Sequence, residues 1–492
     1  SYELDGVSGA SLTSEGTKEA IEEAVKTSGA KLTKVDAALE TNTKLPRQAD
    51  VVVIGGGGAG LTSAIAAYEK GASVILIEKT ELLGGNTNYA TAGLNAAGTS
   101  VQKKLGVEDS AELFYEDTMK GGKNKNNKEL VRVLVNNSSA IVDWLIERGA
   151  DLSELTSTGG QSAKRTHRPT GGTAVGPNIV AALSKTAENE KIDIRKGTKA
   201  IALVKTKNRI VGVKVREIDG KEYTIKAKAV IVATGGFGAN AKMVEKYNPK
   251  LKGFGSTNSP AIVGDGIVMI EKIGGALVDM DQIQTHPTVL HNKTNMITEA
   301  VRGEGAILVN KDGKRFIDEL ETRDVVSKAI LSQKGKSAFL IFDEDIRTKL
   351  KAADGYVKKG FAVEGTLEEI AAKIGTDAKT LEATLNKYNE AVRDKVDSEF
   401  NKKTLPKELT GTKYYAIEVS PAVHHTMGGV RINTNAEVLS KNGRPIKGLY
   451  AAGEVTGGIH GANRIGGNAV ADITVFGKIA GENAATYSKS VK

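Results

Sequence analysis

The 492-residue chain contains no cysteine. That excludes disulfides, thiolate-ligated zinc, iron–sulfur clusters, CxxCH haem attachment and thiol catalysis. Proline is scarce at nine residues, and aromatic residues make up only 4%, with a single tryptophan. The charge is basic, 68 Lys and Arg against 59 Asp and Glu for a net +9. With so few aromatics and no RNP-like or zinc-finger spacing, this excess does not read as a base-stacking surface, so no nucleic acid is expected; an anionic surface or an acidic small molecule fits better. The uncharged stretch Val51–Ala67 approaches membrane-span length, but five glycines interrupt it, as in a strand, turn and helix packed in a core. The chain starts Ser-Tyr without an initiator Met or signal peptide. Something is therefore expected to have been cut from the front, and the compartment is not directly readable.

Glycine is what the chain has in excess, 56 residues, or about 11% against a usual ~7%. Its clustering points to tight turns around ligands. Residues 1–47 stand apart. Ala20, Ile21, Ala24 and Val25 give a helical period within Thr13–Thr27, and the polar stretch Lys31–Gln48 reads as a linker. From Ala49 the pattern is α/β: a β-branched strand Asp50–Ile54, a helix Leu61–Lys70 ended by Gly71, and a strand Ser73–Glu78. Leu130–Arg148 is an amphipathic helix with Leu134, Ile141, Trp144 and Leu145 inward and Gly149 as its stop. Ile201–Ala233 holds several strands, with a turn at Asp219-Gly220 and a buried last strand Ala229–Ala233. Residues 281–426 read as a second, mixed domain, with a turn at Asn310–Gly313 and a capping box of Thr366 and Glu369. From Met427 the glycine-rich α/β character returns. The simplest arrangement is a nucleotide-binding domain over 48–280 and 427–492, interrupted by an inserted α+β cap over 281–426.

Gly55-Gly-Gly-Gly-Ala-Gly60 contains GxGxxG between a strand and a helix. Gly55, Gly57 and Gly60 allow a tight turn and close approach of backbone amides to a pyrophosphate, which meets the helix N-terminus. Glu78 ends the next strand, 18 residues after Gly60, where its carboxylate can accept from a ribose hydroxyl. Gly85, Asn86 and Thr87 add amides and polar side chains, and Thr234-Gly235 and Leu449–Glu454 follow much later. Such long, discontinuous binding segments suit a permanently held FAD better than a diffusing nicotinamide.

With these segments in place the chain resembles the soluble flavoprotein fumarate reductases, the flavin part of the periplasmic flavocytochrome c type. The resemblance is carried by Gly55–Gly60, Glu78-Lys79, Gly84–Thr87, Val263–Gly266, Gln284-Thr-His-Pro-Thr288, Met296–Gly303, Thr322-Arg-Asp324, Val423-His-His-Thr-Met-Gly-Gly429 and Ala451–Gly467, and spans about residues 48–488. It implies a Rossmann-like FAD-binding domain closed over by the inserted cap, and reduction of fumarate to succinate by hydride from FAD N5 with a proton from an arginine. Lys79, Asp265, His424, Glu454 and Ala469 are then also expected near the cofactor. Asn86–Leu94 contains no histidine, so FAD is expected to be unlinked.

The resemblance places His286, Thr298 and Glu299 near one carboxylate of the substrate and His425 with Arg464 near the other, with Gly467 also in the substrate set. Arg323 takes the proton donor's position, and Glu299 and Arg302 resemble the relay that reprotonates it. Two plainer readings stay open: an ordinary i,i+3 ion pair for Glu299 and Arg302, and a fixed electrostatic clamp for Arg323, since a guanidinium is ordinarily never an acid. No H-x-H or HExxH spacing supports a metal site. Reduction of urocanate, methacrylate or another unsaturated acid is the alternative within the fold, and a non-catalytic flavin electron carrier is the alternative outside it.

Asp5-Gly-Val-Ser-Gly-Ala-Ser11 resembles the D-x-x-[ST]-G-A-[ST] acceptor of FMN-binding domains, with Ser11 as the site an FMN transferase would esterify. An ordinary Asp/Gly/Ser turn remains the other reading. If Ser11 carries FMN, it implies electron input from a membrane quinone, an extracellular electron-transfer chain or a soluble flavin carrier. That would suit an extracytoplasmic reductase, periplasmic, cell-surface or secreted, in anaerobic respiration.

Overall fold

Val51, Val52, Val53 and Ile54 are all buried, the pattern of a strand covered on both faces in a parallel sheet. The computed structural model, which describes residues 46–207 and 209–491, places them there. Expectations for the N-terminal helix, Ser11 and the linker up to residue 45 lie outside the described residues; the expected linker's last residue, Gln48, opens the first strand.

The first part supplies β1 (Gln48–Ile54), α1 (Gly58–Glu69), β2 (Val74–Ile77), α2 (Lys128–Glu147), β3 (Asp193–Arg195) and β4 (Glu222–Val232). The inserted part supplies β5 (Ile283–Leu290), α3 (Glu299–Gly303), β6 (Ile307–Val309), α4 (Arg323–Leu331), β7 (Ala338–Asp343), α5 (Leu367–Ile374) and β8 (Tyr414–Thr426). The chain then returns with β9 (Pro445–Ala451) and the long helix α6 (Asn468–Ser490).

In the main sheet β9, β4, β1, β2 and β3 lie side by side and parallel. The register pairs Ile54 with Ile77 and with Val232, and Val232 with Ala451. Four strands therefore end level, and Gly55, Glu78, Ala233 and Ala452 all begin on one rim. Ligands of open α/β sheets bind outside such carboxyl ends. The stretch Val51–Ala67 is strand, turn and helix, as its glycines implied.

The inserted part has its own core, with Ile307, Leu308, Ile341, Phe342, Tyr415 and Ile417 buried together. Its sheet is antiparallel, β5–β8–β7–β6, with the short strand Val363–Gly365 also on β8. Thr366 and Glu369 form the expected capping box on α5. The thirteen-residue β8 runs from this core to His424 and His425. Its pairing with β5 sets Gln284 opposite His425 and slips between His286 and Val289.

One boundary differs from the sequence reading: α1 starts at Gly58, three residues before Leu61. The glycines that look like breakers form its first turn, because a Cβ at Gly60 would stand 1.8 Å from the Gly55 carbonyl oxygen. Gly60→Ala must push α1 off β1. Its thermal unfolding is expected to fall by the equivalent of about 2–3 kcal/mol, and an unchanged melting temperature would contradict this packing.

Candidate active site

Along the strand rim runs a cavity of about 880 Å³, lined by Gly55, Gly57, Glu78, Lys79, Thr234, Gly235 and Asp265 among others. Glu78 accepts from the Gly56 amide at 2.8 Å through one oxygen and from Thr80 N and Oγ1 at 2.8 and 2.9 Å through the other. These bonds fix its orientation and leave lone pairs for a ribose hydroxyl. Lys79 Nζ pairs with Asp265 at 2.5 Å, and Lys199 Nζ lies 3.4 Å from the same carboxylate. Gly85, with φ +47°, is in the left-handed region. Asn86 donates to Asn258 at 2.6 Å and Thr87 accepts from the Gly58 amide at 3.1 Å.

Two observations show that these residues fit FAD. Gly57 has φ −75°, open to any residue, and a Cβ there would meet only the Gly84 carbonyl, at 3.7 Å. The protein has room for a side chain at Gly57, so the bare backbone serves whatever lies in the cavity. The buried Thr234 hydroxyl has no partner within the protein.

A second cavity, about 830 Å³, adjoins the first and shares Asn86, Thr87, Glu454 and Ile473 with it. Cap and FAD-binding segments both line it: His286, Thr298, Glu299 and Arg323 from one side, Arg464, Gly467 and Ala469 from the other, with His424 and His425 at the end of β8. Arg323 Nη2 donates to Glu299 Oε2 at 2.9 Å, and Arg302 Nη2 lies 3.5 Å from Glu299 Oε1. Arg323 is thus hydrogen-bonded to Glu299, while Arg302 stands in ion-pair range of it without a hydrogen bond from Nη2 and donates instead to the Glu319 carbonyl. The Thr298 amide donates to Tyr356 Oη at 3.0 Å, which anchors the start of α3.

Gln284, the first residue of the motif Gln284–Thr288, joins the two arginines through its amide. Its Oε1 accepts from Arg323 at 3.1 Å and from Arg464 at 3.2 Å, while its Nε2 donates to Asn463 and to the Arg464 carbonyl, both at 2.8 Å. A neutral amide carries no charge signature, so its bridging role is not legible from residue type.

The two neighbouring histidines take different sides of the site. Successive strand residues point to opposite faces. The His424 ring meets His286 edge-on, centroids 5.2 Å apart, and its Nδ1 is 2.7 Å from Thr257 Oγ1. His424, expected only near the cofactor, thus shares the His286 side. His425, expected beside Arg464 as a substrate ligand, lines the same cavity as Arg464, with Glu454 3.6 Å from its Nδ1 and the His460 ring edge-on to it.

Burial, reinforced by the surrounding arginines, holds His286, His424 and His425 well below the ordinary imidazole range, so all three are neutral hydrogen-bonding groups. Burial and Arg323 pull Arg464 down to about 9, still cationic at neutral pH. Burial pushes Glu299 up, but Arg323 and Arg302 outweigh it and hold the carboxyl down at about 2. Burial pushes Glu454 up, toward its neutral form. Three guanidiniums facing one ionised carboxylate leave a surplus of two positive charges.

The family model described as "FAD binding domain" matches residues 50–470. The chain is 51% identical over 442 residues to a protein named fumarate reductase (cytochrome) from Shewanella frigidimarina, covering 89% of this chain and 77% of that one. It is 38% identical to a urocanate reductase from Eggerthella lenta, covering 99% of this chain and 83% of the relative. Among solved structures, the open conformation of a flavocytochrome c3 fumarate reductase superposes with a TM-score of 0.78 at 43% identity, covering 94% of this chain and 84% of the other.

Two outcomes are expected. Gly57→Val fills the floor of the first cavity without disturbing its neighbours. The variant should fold, with the melting temperature of flavin-stripped wild type, yet purify colourless; a yellow variant would contradict the role of the bare backbone. For Glu299 the folded pKa, about 2, lies below the ordinary 4.5. The stability its charge contributes is complete above 4.5 and disappears as pH falls toward 2. The stability gap between wild type and Glu299→Gln should be constant from neutral pH to about 4.5 and then narrow, as read by thermal unfolding across pH.

Proposed function

Because the chain belongs to the family defined by this FAD-binding domain, we propose that it is a fumarate reductase, forming succinate in the second cavity. The observation that carries this is the surplus of two positive charges among otherwise neutral donors, the complement of a small dicarboxylate. The relative named fumarate reductase, at 51% identity against 38% for the urocanate reductase, supports the same substrate.

FAD, when bound, supplies a hydride to one alkene carbon. The protein's own groups do the rest. Thr298 and the neutral imidazoles of His286 and His425 donate to the carboxylates on this reading. Arg464, itself buried, holds the carboxylate beside which negative charge grows, a preorganised donor. Arg323 gives its Nη proton to the neighbouring carbon, so hydride and proton together convert the alkene to the saturated diacid. On losing its proton Arg323 no longer stabilises the Glu299 anion, and the Glu299 pKa rises, so Glu299 becomes a competent carrier at the moment a proton must pass. Arg302, 3.5 Å behind it, completes the row.

The FAD is held noncovalently on this reading, since Asn86–Leu94 offers no histidine. Ser11 carries FMN added by a transferase, and electrons enter from a quinone, an extracellular chain or a soluble flavin carrier outside the cytoplasm; the motif Asp5–Ser11 supports this.

Two experiments test the reading. Driven by reduced viologen without oxygen, the protein should reduce fumarate far faster than urocanate or methacrylate. Arg323→Lys should lose most of this turnover while still binding malonate, and Glu299→Gln should slow it too. Near-normal rates in both variants would remove the relay and leave Arg323 a fixed clamp. Acid precipitation should release FAD into the supernatant, and any flavin left on the pellet should map to Ser11. FAD remaining in the pellet would contradict noncovalent binding.

A further inference from the structure

The loop that brings Arg464 and Gly467 to the second cavity is held from behind by a residue the reaction above does not use. Asn95 ends the short strand Leu94–Asn95, pairs there with Thr166, and is wholly buried. Its Nδ2 donates to the Gly466 carbonyl and to Asn468 Oδ1, both at 2.7 Å. Its Oδ1 accepts from Thr166 Oγ1 at 2.7 Å. Thr158 Oγ1 donates to the same Gly466 carbonyl at 2.9 Å. Side chains from two separate segments thus converge on one backbone oxygen. The next residue, Gly467, has φ +88° and sits so close that a Cβ there would stand 2.1 Å from Asn95 Oδ1.

Each donor in this network follows from chemistry. A carbonyl only accepts, so the Asn95 atom facing Gly466 is the amide nitrogen, and Asn468 must present its oxygen to that nitrogen. The Asn468 nitrogen then donates to Thr118 Oγ1 at 3.1 Å. On the other side the Thr158 amide donates to Gln161 Oε1 at 2.8 Å, which turns Gln161 Nε2 toward Thr166 Oγ1 at 3.0 Å. The single Thr166 hydroxyl hydrogen is left for Asn95 Oδ1. Both hydrogens and the oxygen of the Asn95 amide are therefore used. A completed buried network holds one geometry, because any displacement leaves a buried group unpaired.

The peptide so fixed lies against the reacting arginine. A Cβ on Gly466 would stand 3.2 Å from Thr158 and 3.3 Å from Arg323 Nη2, so the bare backbone is lodged between them. Arg323 has few other holds: Nη1 donates to Gln284, Nη2 donates to Glu299, and the buried Nε has no partner. We propose that Asn95 and Thr158 are positioning residues for proton delivery: they fix the Gly466 carbonyl, and the Gly466 backbone keeps Arg323 Nη2 aimed into the second cavity. The Arg464 end of the loop has its own anchor, since Gln284 Nε2 holds the Arg464 carbonyl at 2.8 Å. Loosening Gly466 therefore disturbs the acid more than the carboxylate clamp. The effect on proton transfer rests on the fumarate-reducing reading above; the steadying of the guanidinium does not.

Thr158→Val removes the hydroxyl and keeps the shape. Per bound flavin, its kcat on fumarate should fall about tenfold, the worth of one hydrogen bond, with KM within about twofold of wild type. Its solvent isotope effect on kcat should rise, as proton transfer becomes the slow step. Thr158→Ser, which keeps the hydroxyl, should restore both. Asn95→Asp still accepts from Thr166 but cannot donate to Gly466, and should show the same signature more strongly; if it fails to fold, the two Thr158 variants decide. A merely structural role would lower the melting temperature or the flavin content and leave kcat per flavin and the isotope effect unchanged, and that result overturns the proposal. The guanidinium is read separately in holoenzyme labelled with nitrogen-15 arginine, the Arg323 signals being assigned with Arg323→Lys. Rotation about its Cζ–Nε bond should be slow in wild type and faster in Thr158→Val; equal rotation in the two overturns the proposal. If wild type does not reduce fumarate, the substrate reading falls, and the arginine signals alone decide the positioning.

Discussion

The site depends on keeping three guanidiniums together in a nearly dry place. Arg302, Arg323 and Arg464 are each 6% exposed or less, and like charges so buried repel strongly because little water screens them. Two groups make the arrangement stable. Glu299 takes Arg323 on one oxygen and Arg302 near the other, and Gln284 offers a single amide oxygen to Arg323 and Arg464. A carboxylate at Gln284 would cancel the charge the site needs, and an apolar residue would leave two guanidinium N–H groups unpaired.

These groups come from separate stretches of chain. Gln284 lies on β5 and Arg323 starts α4, both in the inserted part, while Arg464 comes from the loop before α6. The site is complete only where the inserted sheet meets the returning segment of the FAD-binding part. β8 makes that junction firm, because it is at once a central strand of the cap sheet and the carrier of His424 and His425.

Much of this was legible beforehand where the signal is local. The strand–turn–helix around Gly55–Gly60 and the capping box at Thr366 each depend on residues a few positions apart, and they stand as read. The start of α1 was misjudged because glycine in a first helical turn looks like a breaker until the close packing of Gly60 on Gly55 is seen. The roles of His424 and His425 were not separable in sequence. Which face each takes follows from the register of β8 on β5, a pairing across some 140 residues. The bridging role of Gln284 stayed hidden for the same reason: its chemistry exists only through partners distant in the chain.

The charge surplus has a consequence for the end of the reaction. Succinate carries the same two carboxylates as fumarate, so the guanidiniums hold product and substrate with equal Coulombic strength. Charge cannot tell the site that turnover is over. That distinction falls to carbon geometry: the flat alkene becomes a flexible chain with two tetrahedral centres, and donors fixed by Gln284 and Tyr356 cannot follow it as it bends. The rigidity that orients the substrate is then also what ejects the product.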